Sequence, residues 1–302
     1  MYTIDSNFVH TFAGSPIDRA QHLRKDDKAL QALKQARESR FLLFHRLNVA
    51  TDNDNQLAWI TPKELPATLD ETVFLGLHNG SARFAASVEK PDLIGDINRF
   101  SDCRLAVASL SIEEGGIVSQ ARAMLDWHRR NPYCAVCGNP SDSGRGGQIR
   151  LCNHCNKHIF PRTDPVAIML IQNNDQGDYC LLGKSQGRMA QSNFYSALAG
   201  FIDQGESLEE AVRREVMEEA GIRVSSVSYH SSQPWPFPSS LMIGCHGVAV
   251  NQDIVIDTEE MADVAWFDRA QVLAAISGEN TDLRIPGPGA IAHHLIKAWA
   301  MA

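Results

Sequence analysis

Residues 200–222 read GFIDQGESLEEAVRREVMEEAGI, a charged run with the punctuation of a helix. Ser207 followed by Glu210 forms a capping box that starts the helix, and Gly221 is a C′ glycine that ends it. With about 100° per residue and Leu208 at zero, Ala211 and Val212 fall within roughly 60° and define the buried stripe. Glu215 and Glu219 fall at about −20° and +20°, inside that stripe, and Glu218 at its edge near −80°. Glu209, Glu210 and Arg213 point away. A charge run on a helix is ordinarily a solvated face, but here carboxylates continue the face that is buried. Unpaired buried carboxylates cost too much to persist, so these must meet cations. Arg214 neutralises one, and a hard divalent cation such as Mg2+ or Mn2+ accounts for the others. Such sites serve phosphate chemistry, in which metal bridges phosphate oxygens and activates water. A merely salt-bridged helix is the alternative reading.

Ten residues beyond Ile222 begins SQPWPFPSS, residues 232–240. Pro234, Pro236 and Pro238 exclude a helix and disfavour a central strand, so Trp235 and Phe237 sit on a stiff, extended loop. That suits a platform for a flat ligand, with little conformational entropy left to lose on binding. A structural corner and a polyproline-type peptide ligand are the other readings of the loop alone.

Upstream, Cys134 and Cys137 form one C-x-x-C pair and Cys152 and Cys155 another, with fourteen residues between the pairs. This is the spacing of a zinc ribbon, in which four thiolates close a tetrahedral site. A closed Zn2+ site folds its segment and takes no part in chemistry. A redox role would need one such pair beside a βαβ unit.

The remaining features frame these three. The chain has 302 residues, 44% hydrophobic and 21% charged, an ordinary composition for a globular protein of about two domains. A net charge of −8 argues against broad non-specific nucleic-acid binding. The opening MYTIDSNFVH has no basic region followed by an apolar run, and VAIMLI from Val166 is too short to span a bilayer, so a cytoplasmic, membrane-free protein is expected. Residues 1–130 read as an α+β domain with strand-like FLLFHRL, LAWIT and TVFLGLH, closing on a helix, GIVSQARAMLDWHRR, that buries Ile117, Ala121, Met124, Leu125 and His128. His45, His78 and Cys103 read as core or surface residues. Residues 131–162 are the ribbon. Residues 163–302 alternate strands with helices, with a turn at NNDQG and two helical stretches around RIPGPG. The fold class is therefore α+β.

The order Gly200, five residues, Glu206, seven residues, Arg214, Glu215, Val216, one residue, Glu218, Glu219, one residue, Gly221, Ile222 resembles a complete Nudix box. The resemblance implies a hydrolase of nucleoside diphosphates linked to another group, on an α/β/α sandwich. SQPWPFPSS after the box, and a four-cysteine ribbon before it, are similar to the NADH pyrophosphatase branch. That branch implies hydrolysis of NADH or NAD to nicotinamide mononucleotide and AMP, and includes enzymes that remove NAD caps from RNA; it also implies a homodimer. Carried onto this sequence, it makes Glu215, Glu218 and Glu219 catalytic and metal-binding, with Glu218 or Glu219 as the base. The Ala199 carbonyl and a downstream glutamate join the metal set; Glu259 and Glu260 are both available, and the family spacing favours Glu260. Gln233, Pro234, Trp235, Pro236, Phe237, Pro238, Ser239 and Ser240 are implied to line the dinucleotide site, Phe160 and Phe201 to meet a base, and Ala292 to approach the substrate. Arg145, Arg150, Lys157 and Arg162 either guide RNA or solvate the ribbon. An ADP-ribose or dinucleoside polyphosphate hydrolase, and a non-catalytic nucleotide or RNA sensor, are the competing functions.

Overall fold

The structure is a computed structural model and describes residues 8–90, 97–174, 177–187, 189–279 and 282–302. Asp175 and Gln176 of the expected NNDQG turn lie outside the described residues. The chain divides into two compact units. One comprises Thr11–Thr163 with Pro234–Ser239; the other comprises Asp164–Gln233, Ser240–Ala302 and the described residues up to His10.

In the first unit, helix α1 (Asp27–Gln35) precedes strands β1 (Arg40–His45), β2 (Asn48–Thr51), β3 (Trp59–Ile60), β4 (Glu71–His78), β5 (Ser81–Val88) and β6 (Arg99–Ser101). The sheet order is β4-β5-β1-β2-β6, with β3 beside β1. Strands β1 and β5 are parallel, and the other pairs antiparallel. The short α2 (Cys103–Ala106) and long α3 (Ile112–Arg130) follow. Successive side chains of a strand point to opposite faces. Accordingly Leu42 and Phe44 of β1 pack with Ile117, Val118, Ala121 and Leu125 of α3, while Phe41 and Leu43 pack with Leu30 of α1.

Helix α3 begins earlier than the sequence implied, at a Ser111–Glu114 capping box. Gly115 and Gly116 argue against a helix there by propensity. At Gly116 the reason is close approach: a Cβ there would lie 2.4 Å from the Ser15 backbone nitrogen. Strand β5 was also not anticipated, although Asn79 and Gly80, both at positive φ, carry the strongest short hairpin signal.

The cysteine segment forms an antiparallel sheet of β7 (Ser141–Gly144), β8 (Ile149–Cys152) and β9 (His158–Ile159). Its β7–β8 turn covers the outer edge of β4. Phe74 N–H donates to the Gly146 carbonyl at 2.8 Å, and His128 Nε2 donates to that of Gly147 at 2.7 Å. Arg150 is buried and donates to Ser141 Oγ at 2.9 Å. Satisfying an edge in this way removes a template for aggregation.

The second unit contains β10 (Asp164–Gln172), β11 (Tyr179–Ser185), β12 (Leu198–Phe201), α4 (Leu208–Ala220), β13 (Val224–Trp235), β14 (Ser240–Ala249), β15 (Met261–Asp268), α5 (Arg269–Ser277) and α6 (Ile291–Ala300). Its order is β13-β14-β10-β11-β15, with β12 beside β10 and β10 parallel to β14. Ala167, Met169 and Ile171 of β10 meet Ala211, Val212, Val216 and Ala220 of α4 on one face. Ile168 and Leu170 meet Leu295, Ile296 and Trp299 of α6 on the other. This is the expected α/β/α sandwich. Strand β13 escaped the sequence reading because VSSVSYHSS is polar; it lies at the sheet edge, where one side faces solvent and a proline such as Pro234 is tolerated. Among the described residues no helix is long and apolar enough to cross a membrane.

Candidate functional site

Helix α4 has the predicted caps. The Glu210 carboxylate accepts from Ser207 N–H at 2.7 Å, and Gly221 ends the helix in the left-handed region at φ 68°. Glu215 and Glu219 are buried on its inner face, whereas the Glu218 side chain is 54% exposed. The projection at about 100° per residue placed all three correctly.

For Glu215 this burial is offset by Arg214. It grips Glu206 with two bonds, Nε to Oε1 at 2.6 Å and Nη2 to Oε2 at 2.8 Å. Its Nη1 donates to Glu215 at 2.8 Å and Glu218 at 3.0 Å, and Nη2 also reaches the Phe201 carbonyl at 2.9 Å. These bonds hold the Glu206 carboxyl down at about 2. Fork-to-fork pairing of this kind is directional as well as strong. The sequence quoted Glu206 within the motif without giving it a role; the i, i+8 separation from Arg214 is too long to read as a helical pair.

Glu219 receives none of this. Its Oε2 is buried with no partner. Burial first, and then the charges of Glu215, Glu260 and Glu218, push its pKa up to about 8. Burial also raises Glu215, against the pull of Arg214. Glu260, on the segment leading into β15, is a downstream residue whose charge acts on both. One guanidinium therefore binds three carboxylates, Glu206, Glu215 and Glu218, and leaves a buried oxygen of Glu219 unsatisfied among them, a donor set that suits a hard divalent cation.

Strand β12 supplies the floor of this cluster. Gly200 pairs with Ala167, and a Cβ at Gly200 would lie 1.9 Å from the Glu215 carboxyl carbon. The carboxylate rests on the bare α-carbon, so any side chain there evicts it. Ala199, expected to offer its carbonyl, precedes it on the strand opposite Ile168.

The Sγ atoms of Cys134, Cys137, Cys152 and Cys155 all lie within 4.8 Å of one another, among the described residues the one group of this kind. Cys134 and Cys155 are 3.6 Å apart, and Cys137 and Cys152 3.5 Å. Val136 N–H points at the Cys134 sulfur at 3.4 Å, the backbone donation expected of a metal knuckle. The cluster can hold a metal ion with no open position. His154 and His158 are exposed outside it.

The proline-aromatic loop joins β13 to β14, with a cis bond between Phe237 and Pro238. Trp235 and Phe237 are half-buried, Pro236 is buried, Pro238 is exposed, and Pro234, Ser239 and Ser240 are half-buried. Gln233 is 1% exposed. Its amide donates to the Gly289 carbonyl at 2.9 Å and accepts from Ile291 N–H at 2.8 Å, tying β13 to the start of α6. Ala292 is 3% exposed, packed among Leu295 and Trp299. Phe160 and Phe201, the two residues expected to meet a base, both offer open aromatic surface, each 60% exposed.

A family model for the NUDIX domain matches residues 162–285. A second, for an NADH pyrophosphatase-like rudimentary NUDIX domain, matches residues 38–127. The chain is 44% identical over 203 residues to an NAD-capped RNA hydrolase of Homo sapiens, covering 64% of this chain and 43% of that relative. It is 38% identical over 242 residues to a mitochondrial NAD(P)H pyrophosphatase of Homo sapiens, covering 74% and 66%. It is 37% identical over 191 residues to an NAD-capped RNA hydrolase of Mycobacterium bovis, covering 61% and 60%. The chain thus spans less than half the length of the first of these relatives.

Proposed function

We propose, on the premise that the chain belongs to the NADH pyrophosphatase-like branch of the Nudix family, that it hydrolyses the pyrophosphate bond of NADH or NAD. The products are reduced or oxidised nicotinamide mononucleotide and AMP, and the same cut removes an NAD cap from the 5′ end of RNA. The observation that carries this reading is the carboxylate cluster on α4, in which the Glu219 oxygen is buried without a partner beside Glu215, Glu218 and Glu260. Relatives named for these two activities support it.

Glu215, Glu219 and Glu260 would hold Mg2+ or Mn2+, with Glu218 and the Ala199 carbonyl beside them. When bound, such an ion neutralises a diphosphate and lowers the pKa of a water. Glu218 or Glu219 accepts the proton of the attacking water at a carboxylate oxygen. Arg214 holds Glu206, Glu215 and Glu218 and is spent on them. Phe160, Phe201 and the aromatic loop offer ring faces to the bases. The four cysteines would hold one structural Zn2+, and a homodimer is the working assembly.

The test is product analysis after incubating the protein with NADH, NAD, ADP-ribose and NAD-capped RNA in Mg2+ or Mn2+. Nicotinamide mononucleotide and AMP are the expected products, with ADP-ribose turned over less efficiently. Preference for ADP-ribose would move the protein to another Nudix activity, and binding without turnover would make it a sensor.

A further inference from the structure

We propose that Arg104 and Arg122, in the unit that lacks the carboxylate helix, clamp Phe237 and so fix the proline-aromatic loop in its ligand-ready form. This rests on the reading of NADH as substrate and deepens it by assigning two positioning residues. Prolines restrict the shapes a loop can take, but they do not select where it sits. Here Phe237 packs against the first unit's apolar core, and three rings and two cations set its orientation on that surface. Phe12, Trp235 and Phe237 form a closed set of edge-to-face pairs with centroids 5.7, 5.4 and 5.3 Å apart. The guanidinium of Arg104 lies 3.9 Å from the Phe237 centroid and that of Arg122 4.3 Å, both well inside cation–π range. Arg122 also donates to the Pro236 carbonyl. Phe12 is itself held at φ 70°, an uncommon conformation for a bulky residue. The neighbouring chain at Ser15 lies against Gly116 of α3, the helix that also carries Arg122.

Two like-charged groups on one ring is an arrangement that apolar packing does not require. The Arg122 neighbourhood offsets the repulsion with Asp102 and Asp126. A corner that only turned the chain would be served by an aliphatic pocket. Cations on one ring of the loop instead hold the indole beside it in a set orientation, and an ordered binding element avoids the cost of ordering on binding. Arg104 and Arg122 therefore act through Phe237 and Trp235, without touching the substrate.

The experiment is steady-state hydrolysis of NADH by the full chain and by Arg122→Met and Arg104→Met, each checked for retained ribbon metal. Met keeps most of the side-chain volume and removes the charge. The expected result is a rise in KM of about tenfold for Arg122→Met and a few-fold for Arg104→Met, with kcat changed much less. Arg122→Lys should recover part of the loss. Arg104 is exposed, so if Arg122→Met fails to fold, Arg104→Met decides alone. A wild-type chain that hydrolyses NADH while KM is unmoved in the folded variants, or in which kcat alone falls, overturns the clamp. A wild-type chain that does not hydrolyse NADH removes the reading on which the clamp rests.

Discussion

The two sheets share one strand order. β4, β5, β1, β2 and β6, with β3 beside β1, correspond to β13, β14, β10, β11 and β15, with β12 beside β10. Each has a parallel pair at its centre, and each is followed by helix. They differ in the connection that carries the carboxylates. Between β12 and β13, residues 202–223 hold α4 and its carboxylates. Between β3 and β4, residues 61–70 hold one 3-10 turn, Pro62–Glu64. Even the start signal survives there: Thr61 and Glu64 form a capping box, as Ser207 and Glu210 do, but no helix follows. The face that α4 covers in one sheet is covered in the other by Leu30 of α1. The same strand order thus occurs with and without a carboxylate-bearing helix, so the sheet alone does not specify the site.

That contrast can be broken in order of effect. Chelating the ribbon metal should melt the first unit, because a closed thiolate site contributes about 10 kcal/mol or more to folding; circular dichroism against chelator concentration reads it, and an unchanged transition would remove the metal from the cysteines. Arg214→Met leaves Glu206 and Glu215 without their cation and should cost at least about 2 kcal/mol of stability in the absence of divalent metal, whereas replacing an arginine of the first unit's surface should not.

Gly200→Ala puts a methyl group where the Glu215 carboxylate rests. Hydrolysis should fall by about tenfold or more while the melting temperature moves by a few degrees. The folded-state pKa of Glu219 is raised to about 8, so its contribution to stability is present at low pH and lost as pH rises through about 8. Metal-free wild type should lose melting temperature over that window and Glu219→Gln should not. Smallest of all, Glu64→Ala removes a cap with no helix behind it and should cost about 1 kcal/mol with no change in turnover.

The sequence made legible what depends on local spacing. Helix α4, its caps, its buried glutamates and the four cysteines were readable because residue identity at fixed intervals is itself the chemistry. Long-range pairing was not. The parallel partners β1 and β5 are joined through several intervening strands, so no window of sequence shows them, and the duplicated topology stayed hidden. The sequence reading began α3 at Gly116 and missed its first turn, whose start is marked by the Ser111–Glu114 capping box; Gly116 itself answers to a neighbouring segment rather than to helix propensity. The stiffness of the loop that carries Trp235 and Phe237 was legible from Pro234, Pro236 and Pro238. The cations that hold Phe237 were not, since nothing in their local sequence distinguishes Arg104 and Arg122 from ordinary surface charges.

The proposed metal-dependent hydrolysis depends on the buried carboxylates of α4. Its most direct test is NADH turnover in Mn2+ by wild type and Glu219→Gln side by side, with product analysis and a melting curve for each. The account predicts nicotinamide mononucleotide and AMP from wild type and a loss of at least about 100-fold in kcat in the variant, which stays folded. Undiminished turnover by folded Glu219→Gln would contradict it.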